Sequence, residues 1–591
     1  MRTPVLPSAG SLSPLAEASI TGGFWRDRSP ETVIDHCLEW TAGTGWVANF
    51  QDGPKTGRVF ADSEIYKVLE AMAWADHPGF LPLAQTVAGA QEPGGYLHTK
   101  FGRRGQPPRY SDLDWGHELY CYGHLIQAAV ARLRAGFNDA LTTTAMAVAD
   151  HVCVEFGPAG RQAYCGHPEI EMALVELYRA TRERRYLDQA KLFVDRRGSQ
   201  RLGDIAFGRA YFQDDVPVRA RTAFSGHAVR ELYLACGAVD VAVETADETL
   251  LAAIISQWEQ TVARRTYLTG GMGSRHEGES FGEDFELPPD GAYAETCAGI
   301  ASVMLAWRLL LATGQARFAD LIERTLFNVV ATSPARDGRS FFYANPLQWR
   351  AISAAGGLST RAVTGQRAPW FDVSCCPTNI ARTLASLECY LATGDQDGIQ
   401  LHQYAPARLA NGNVVLEVET DYPWEGRIRV RVLASPAQPW QLSLRVPAWA
   451  SGATLDGQPV APGYATLSRS WRPGEVVVLD LPTSPRWTRP DPRIDAVRGC
   501  VAVERGPLVY CLESPESVDL IAVDTQRPLA IEGADIVAQG HRLNVVIGQW
   551  PYGNLDAAAA QDVELRLIPY HRWANQGPST MRVWLPLTTS A

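Results

Sequence analysis

Two short stretches concentrate the reactive side chains of this chain. GESFGEDFELPPDGAYAETC, residues 278–297, holds Glu279 near its start and ends in Glu295-Thr296-Cys297. FDVSCCPTN supplies two adjacent thiols, Cys375 and Cys376. Glu295 with the three sulfurs makes a complete four-ligand shell for a borderline-soft metal such as zinc. Glu279 is not needed for that shell. Adjacent cysteines alternate sides of a regular strand, so both face one centre only in a turn, and Pro377 supports a local departure from helix or strand. Two other readings stay open: unrelated buried thiols, which are common, or a strained vicinal disulfide. Glu295-x-Cys297 likewise reads as a helix-start carboxylate followed by a core cysteine, and neither pair has the C-x₂-C spacing of a standard zinc site.

The elements that must position these residues are mostly helical from Phe24 to Tyr390. DSEIYKVLEAMAWA, ELYCYGHLIQAAVARLRA, EIEMALVELYRATRE and CAGIASVMLAWRLLLATG repeat apolar residues at three- and four-residue steps. Each apolar helix ends in a short polar or glycine turn and a second helix comes next, at intervals of roughly 40–60 residues. Histidines and carboxylates gather in one class of loop, in SDLDWGHEL, YCGHPEIE, AFSGHAVR and GGMGSRHEGES. That points to one end of a closed (α/α) toroid rather than an open solenoid. After Asp395 the texture alternates: GNVVLEVETDY, GRIRVRVLA, WQLSLRVPAWA and EVVVLDLP read as a β-sandwich. More short strands begin at Ile494. The expected divisions are an N-terminal extension over 1–23 that packs on the β-domain, a helical barrel over 24–394, a β-sandwich over 395–493, and a second or continued β-domain over 494–591. The role expected of the β-domains is support or dimerisation of the helical part.

Composition sets the outer limits. With 591 residues the chain exceeds one ordinary core. A net charge of −11 argues against nucleic acid or an anionic membrane as the main partner. No window reads as a membrane span and the N-terminus shows no secretory signal, so the eleven cysteines are expected reduced, in the cytoplasm.

The motifs GMGSRHEGESFGEDFELPPDGAYAETCA and VSCCPTNIARTLA, with HELYCYGHLIQAAVA, GHPEIEMALVELYRAT, GHAVRELYL, FFYANPL and RWANQGPSTMRVWLP, resemble glycoside hydrolase family 127, a family of bacterial β-L-arabinofuranosidases. The resemblance runs from Gly23 almost to the end. It implies a multidomain α and β fold: an (α/α)₆ barrel catalytic domain followed by C-terminal β-sandwich domains. It carries zinc ligands onto Glu295, Cys297, Cys375 and Cys376, a nucleophile onto Cys375, and a general acid/base onto Glu279. Sugar contacts fall on His117, His167, His227 and Tyr343. The implied activity is that of a retaining exo-glycosidase releasing terminal β-L-arabinofuranosyl or related furanosyl residues from small oligosaccharides or glycosides. With the β-rich tail, the resemblance also suggests a homodimer.

Two departures from the family pattern, at Cys37 and at Gly94 in GGYL, fall in N-terminal helices expected to build the pocket rim. Glu283, Asp284 and Glu286 read as a solvated acidic loop, with Asp284 a reserve second carboxylate. Two rival functions remain: a carboxylate-pair glycosidase using Glu279 and Asp284 on another sugar, or a non-catalytic carbohydrate-binding protein.

Overall fold

A computed structural model describes residues 3–8, 12–15, 17–203, 206–350, 365–518, 520–543 and 561–588. Twelve helices of nine or more residues are present among them. In chain order they are α1 (Pro30–Gly43), α2 (Ala61–Ala75), α3 (Phe80–Ala88), α4 (Glu118–Arg134), α5 (Ala140–Glu155) and α6 (Ile170–Thr181). They continue as α7 (Arg184–Arg196), α8 (Ala228–Thr245), α9 (Glu248–Arg264), α10 (Thr296–Thr313), α11 (Ala316–Thr325) and α12 (Cys375–Ala385).

The even-numbered helices pack in sequence, and α12 returns to α2, so six inner helices close a ring. The odd-numbered helices lie outside it. Burial explains the assignment: α4 is buried from Glu118 to Arg132 and α10 from Thr296 to Leu311, on all faces. A helix that is apolar all round belongs inside a large core. The outer helices α7 and α11 bury one stripe and expose a charged one. The closed double ring matches the (α/α)₆ expectation. One detail differs. α10 has 18 residues with a mean hydropathy of 1.5, long and apolar enough to cross a membrane, but 89% of it is buried in the barrel. Its length and apolarity come from its place in the inner ring.

The opposite, C-terminal end of the inner ring is crossed by the start of the chain. Arg134 donates to the Thr3 carbonyl, Ser8 N–H donates to Glu244 at 2.9 Å, and Leu12 N–H donates to Leu311 O at 3.1 Å. Strands Ser13–Pro14 and Glu17–Ile20 then join a five-stranded and a seven-stranded sheet respectively. These two sheets hold the β-residues from 392 to 480. Within Arg427–Ala434, Ile428, Val430 and Val432 turn inward while Arg427, Arg429 and Arg431 face out and pair with acidic neighbours. That is the period-two pattern of a half-buried strand.

The third sheet has ten strands among the described residues. Pro485–Thr488, on the near side of the expected 493/494 boundary, pairs with Cys500–Arg505 in this sheet. Gln348–Trp349 of the helical part pairs with Thr580–Arg582 of the same sheet. The sheet therefore grips the loop that precedes α12. Phe342 stacks on Trp573 with centroids 4.8 Å apart and planes 14° from parallel. Tyr570 Oη donates to Pro346 O at 2.7 Å, and Val583 N–H donates to Leu347 O at 2.9 Å. Trp573→Ala should destabilise the chain by about 3 kcal/mol. The loop carrying Tyr343 should loosen with it, so the thermal midpoint should fall and amide hydrogen exchange in that loop should quicken; a stable variant with unchanged exchange would contradict this role of the sheet.

Candidate active site

One cavity of about 290 Å³ sits at the N-terminal end of the inner ring. Every inner helix contributes a lining residue at or just before its start: Phe60 before α2, His117 before α4, His167 before α6, His227 before α8, Glu295 before α10, and Cys375 at the first position of α12. The unpaired N–H groups and dipoles of these termini favour negative charge, whether carboxylate, thiolate or a polarised ligand oxygen.

The acid–thiol cluster spans two neighbouring helices. Glu295 is the N-cap of α10 and Cys297 lies in its first turn, while Cys375 and Cys376 open α12. The expected turn at Cys375-Cys376 is thus the first turn of a helix. Pro377 is tolerated there because first-turn N–H groups have no intrahelical partner. No disulfide forms: Cys375 and Cys376 have their Sγ atoms 3.9 Å apart, and all cysteines are free. Cys297 and Cys376 have theirs 3.4 Å apart, and Cys375 Sγ lies 3.4 Å from Glu295 Oε1. The four ligand atoms lie within 4.8 Å of one another, a group that can hold a metal ion. Glu295 Oε2 is buried with no hydrogen-bond partner, as an atom awaiting a ligand would be.

Burial pushes the Glu295 carboxyl and the Cys375 and Cys376 thiols well up. Cys297 feels the same burial, but hydrogen bonds from Cys375 and Cys376 outweigh it and bring its thiol down to about 7. Four acidic groups in mutual contact cannot all ionise without a compensating cation.

A second layer supports the cluster. Asn379 Nδ2–H donates to Cys297 Sγ at 3.0 Å, and Arg382 Nε–H fixes that amide by donating to Asn379 Oδ1 at 2.7 Å. Arg382 is held in turn by Glu70, Gln127 and Tyr233. Lys67, fully buried, pairs with Glu64 at 2.9 Å, and Thr378 of α12 donates to the same carboxylate.

Glu279 faces the cavity from a tight turn in which Gly278 and Glu279 have φ of 67° and 52°. A positive φ is strained for glutamate and common at functional sites. His227 caps α8: its Nδ1 accepts from Val229 N–H at 3.2 Å and Arg230 N–H at 3.5 Å. The proton therefore sits on Nε2, which donates to Glu279 Oε2 at 3.2 Å. In His117 and His167 the arrangement is reversed. Each donates from Nδ1 to a backbone carbonyl, of Trp115 and Pro168 respectively, leaving Nε2 as an acceptor. The three rings stand in succession with centroids 5.6 Å and 5.7 Å apart. Tyr343 Oη is 3.2 Å from Cys375 Sγ. All nine expected site residues thus line this cavity or belong to the acid–thiol cluster at its floor.

Three expectations fall elsewhere. Cys37 is fully buried within α1, and Gly94 lies in an open loop; neither lines the cavity. Asp284 is also absent from the lining and pairs with Arg265 at 2.8 Å and Arg264 at 3.1 Å. Residues not anticipated include Asn379, Tyr120, Arg230, Trp115, Phe207 and Tyr211. Asn379 does have a sequence signal: it stands four residues after Cys375, one helical turn on.

Asn379→Leu should weaken metal retention about tenfold, measured by competition with a chelator, because second-layer partners orient thiolate ligands; unaltered retention would contradict that support. A further expectation concerns pH. Burial, and next Arg230, push the His117 imidazole down to about 3. An unfolded histidine protonates near pH 6.5. The unfolded state therefore takes up the extra proton as pH falls, so the stability tied to this group is complete above about pH 6.5 and is lost towards pH 3. Between pH 7 and 5 His117→Gln should lose less stability than wild type in denaturant titrations; equal losses would place His117 near its ordinary pKa.

Comparison with known proteins agrees from end to end. Residues 31–389 match the β-L-arabinofuranosidase GH127 catalytic domain, 398–483 the GH127 middle domain and 485–586 the glycoside hydrolase family 127 C-terminal domain. The chain is 33% identical, over 89% of both sequences, to the non-reducing end β-L-arabinofuranosidase of Bifidobacterium longum subsp. longum. The crystal structure of a GH127 β-L-arabinofuranosidase from Geobacillus stearothermophilus T6 superposes with a TM-score of 0.90 at 32% identity, covering 97% of this chain and 100% of that one. A second GH127 β-arabinofuranosidase gives 0.87 at 33% identity, covering 99% and 98%.

Proposed function

The chain belongs to glycoside hydrolase family 127 and acts on a carbohydrate substrate; from that premise we propose that it is a retaining exo-β-L-arabinofuranosidase with Cys375 as nucleophile and Glu279 as acid/base. The similarity to two enzymes named for L-arabinofuranoside release supports the sugar. The observation that carries the mechanism is that Cys375 alone of the three cluster thiols is partly exposed and opens into the cavity that Glu279 also faces. A small cavity closed below by the buried Glu295 and Cys297 suits one terminal sugar rather than an extended chain.

Zinc fits the cluster. In a tetrahedral site with Zn–S near 2.3 Å and Zn–O near 2.0 Å, sulfurs stand about 3.8 Å apart and an oxygen about 3.5 Å from a sulfur. Here Cys297–Cys376 and Cys375–Cys376 are 3.4 and 3.9 Å apart, Glu295 Oε1 lies 3.4 Å from Cys375 Sγ and 4.0 Å from Cys376 Sγ, and all four ligand atoms fall within 4.8 Å of one another. Bound by Glu295, Cys297, Cys375 and Cys376, zinc would deprotonate the thiols and hold them in place. The need for reduced thiols suits a reducing compartment.

The chain's own residues then supply the reaction. His117 and His167 accept hydrogen bonds from sugar hydroxyls at Nε2. Glu279, oriented by His227, gives its proton to the departing glycosidic oxygen as Cys375 Sγ attacks the anomeric carbon from the opposite face. The C–O bond breaks and a C–S bond forms. Tyr343, beside Sγ, positions the thiolate. Glu279, now a carboxylate, takes a proton from water, which attacks the same carbon and returns the sulfur. Two inversions retain the anomeric configuration.

In a panel of aryl furanosides and pyranosides, wild type should hydrolyse the β-L-arabinofuranoside. Cys375→Ala should lose on the order of a thousandfold in kcat/KM, and Glu279→Gln should lose about as much on a substrate whose leaving group must be protonated. Activity retained in Cys375→Ala but lost in Asp284→Asn would transfer the reaction to a carboxylate pair.

A further inference from the structure

An aromatic step stands at the mouth of the cavity, on the Glu279 side. Phe207, in the connection between α7 and α8, is 48% exposed, whereas Tyr211, His117, His167, His227 and Glu279 behind it are all below 9%. Its ring lies 4.8 Å from Tyr211, tilted by 34°, and 6.3 Å from Trp115. A Cβ built on Gly278 would stand 3.2 Å from Tyr211 Cε2 and 3.6 Å from Phe207 Cδ1. The two rings therefore rest directly against the turn that presents Glu279.

The step is built rather than incidental. Arg230 is buried beneath it, its guanidinium 5.3 Å from the Trp115 ring centre, 4.9 Å from Tyr211 and 5.0 Å from Phe212. Arg230 Nη1–H donates to Gly166 O at 2.7 Å, while Nε is buried without a hydrogen-bond partner. Leaving a guanidinium N–H unsatisfied is costly. The compensation visible is the cluster of ring faces, which a desolvated cation attracts. The cation thus fixes the orientation of Trp115 and Tyr211 below the exposed Phe207.

We propose that Phe207, on the rigid base of Tyr211 and Trp115, is the subsite for the leaving group, and that it takes a ring-shaped one, namely a second sugar presenting its C–H face. The inference rests on the assignment of Glu279 as the acid. In a retaining displacement the leaving group departs on the face opposite the nucleophile, next to the acid that protonates it. With Cys375 on the floor and Glu279 on the wall, the departing residue must emerge past Gly278 and meet Phe207. A phenyl ring offers no hydrogen bond, so it selects for a ring face and tolerates different hydroxyl patterns. This suits an enzyme strict about the terminal sugar and lenient about the neighbouring residue.

The test is a ratio: kcat/KM for a β-L-arabinofuranosyl disaccharide divided by kcat/KM for the methyl β-L-arabinofuranoside, whose leaving group has no ring. Phe207→Leu, which keeps bulk but loses the aromatic face, should lower the ratio about fivefold, and Phe207→Trp should preserve it. A ratio unchanged in Phe207→Leu, or an equal loss on both substrates, would overturn the proposal; the second result would make Phe207 a support for the Glu279 turn. If wild type turns over a different furanoside, the arabinose reading fails by itself, and the same ratio is measured with that sugar's disaccharide and methyl glycoside.

Discussion

The constraint on which the rest depends is the meeting of six helix starts around one small cavity. A closed ring of parallel inner helices brings their N-termini to one end, with N–H groups that have no partners within their own helices. Groups that accept hydrogen bonds or carry negative charge are favoured there. The chain fills the positions accordingly, with three histidines, a glutamate and a cysteine at five of the six starts. Two adjacent starts, those of α10 and α12, go further and gather a carboxyl with three thiols, two of them buried. That cluster would be untenable as four anions and is compatible with a bound dication.

Everything around this end serves to hold it. Histidine tautomers are dictated by backbone groups: the cap of α8 leaves His227 a donor towards Glu279, while carbonyls leave His117 and His167 as acceptors towards the cavity. The ten-stranded sheet reaches back to clamp the Tyr343 loop through Trp573, Tyr570 and Val583. The Asn379–Arg382 pair orients the thiolate of Cys297 from below. The β-rich tail is therefore part of the site's support, although none of its described residues lines the cavity.

Much of this is legible in the residues. The three- and four-residue apolar period marks the inner helices, and the gathering of histidines in one class of loop locates the working end. The closure into six pairs comes from the family motifs, because periodicity carries no information about ring size. The local form of Cys375-Cys376 is not legible in this way: Pro377 suggests a break, but proline is compatible with a first helical turn, and the helix begins at the cysteines themselves. Cys37 and Gly94 are expected at the rim because the N-terminal helices are; Cys37 instead points into the packing of α1, and Gly94 lies in the loop after α3. Arg230 and Phe207 leave no sequence signal because their meaning depends on rings brought together from distant loops.

The central claim is that the sulfur of Cys375 forms the bond to the sugar. It is tested most directly in Glu279→Gln with an aryl β-L-arabinofuranoside whose leaving group needs no protonation. The first step then proceeds while the water step lacks its base, so the intermediate accumulates. Rapid quenching, digestion and mass spectrometry should find one anhydropentose on the peptide containing Cys375. The same adduct on a carboxylate-bearing peptide that lacks Cys375 would contradict the account.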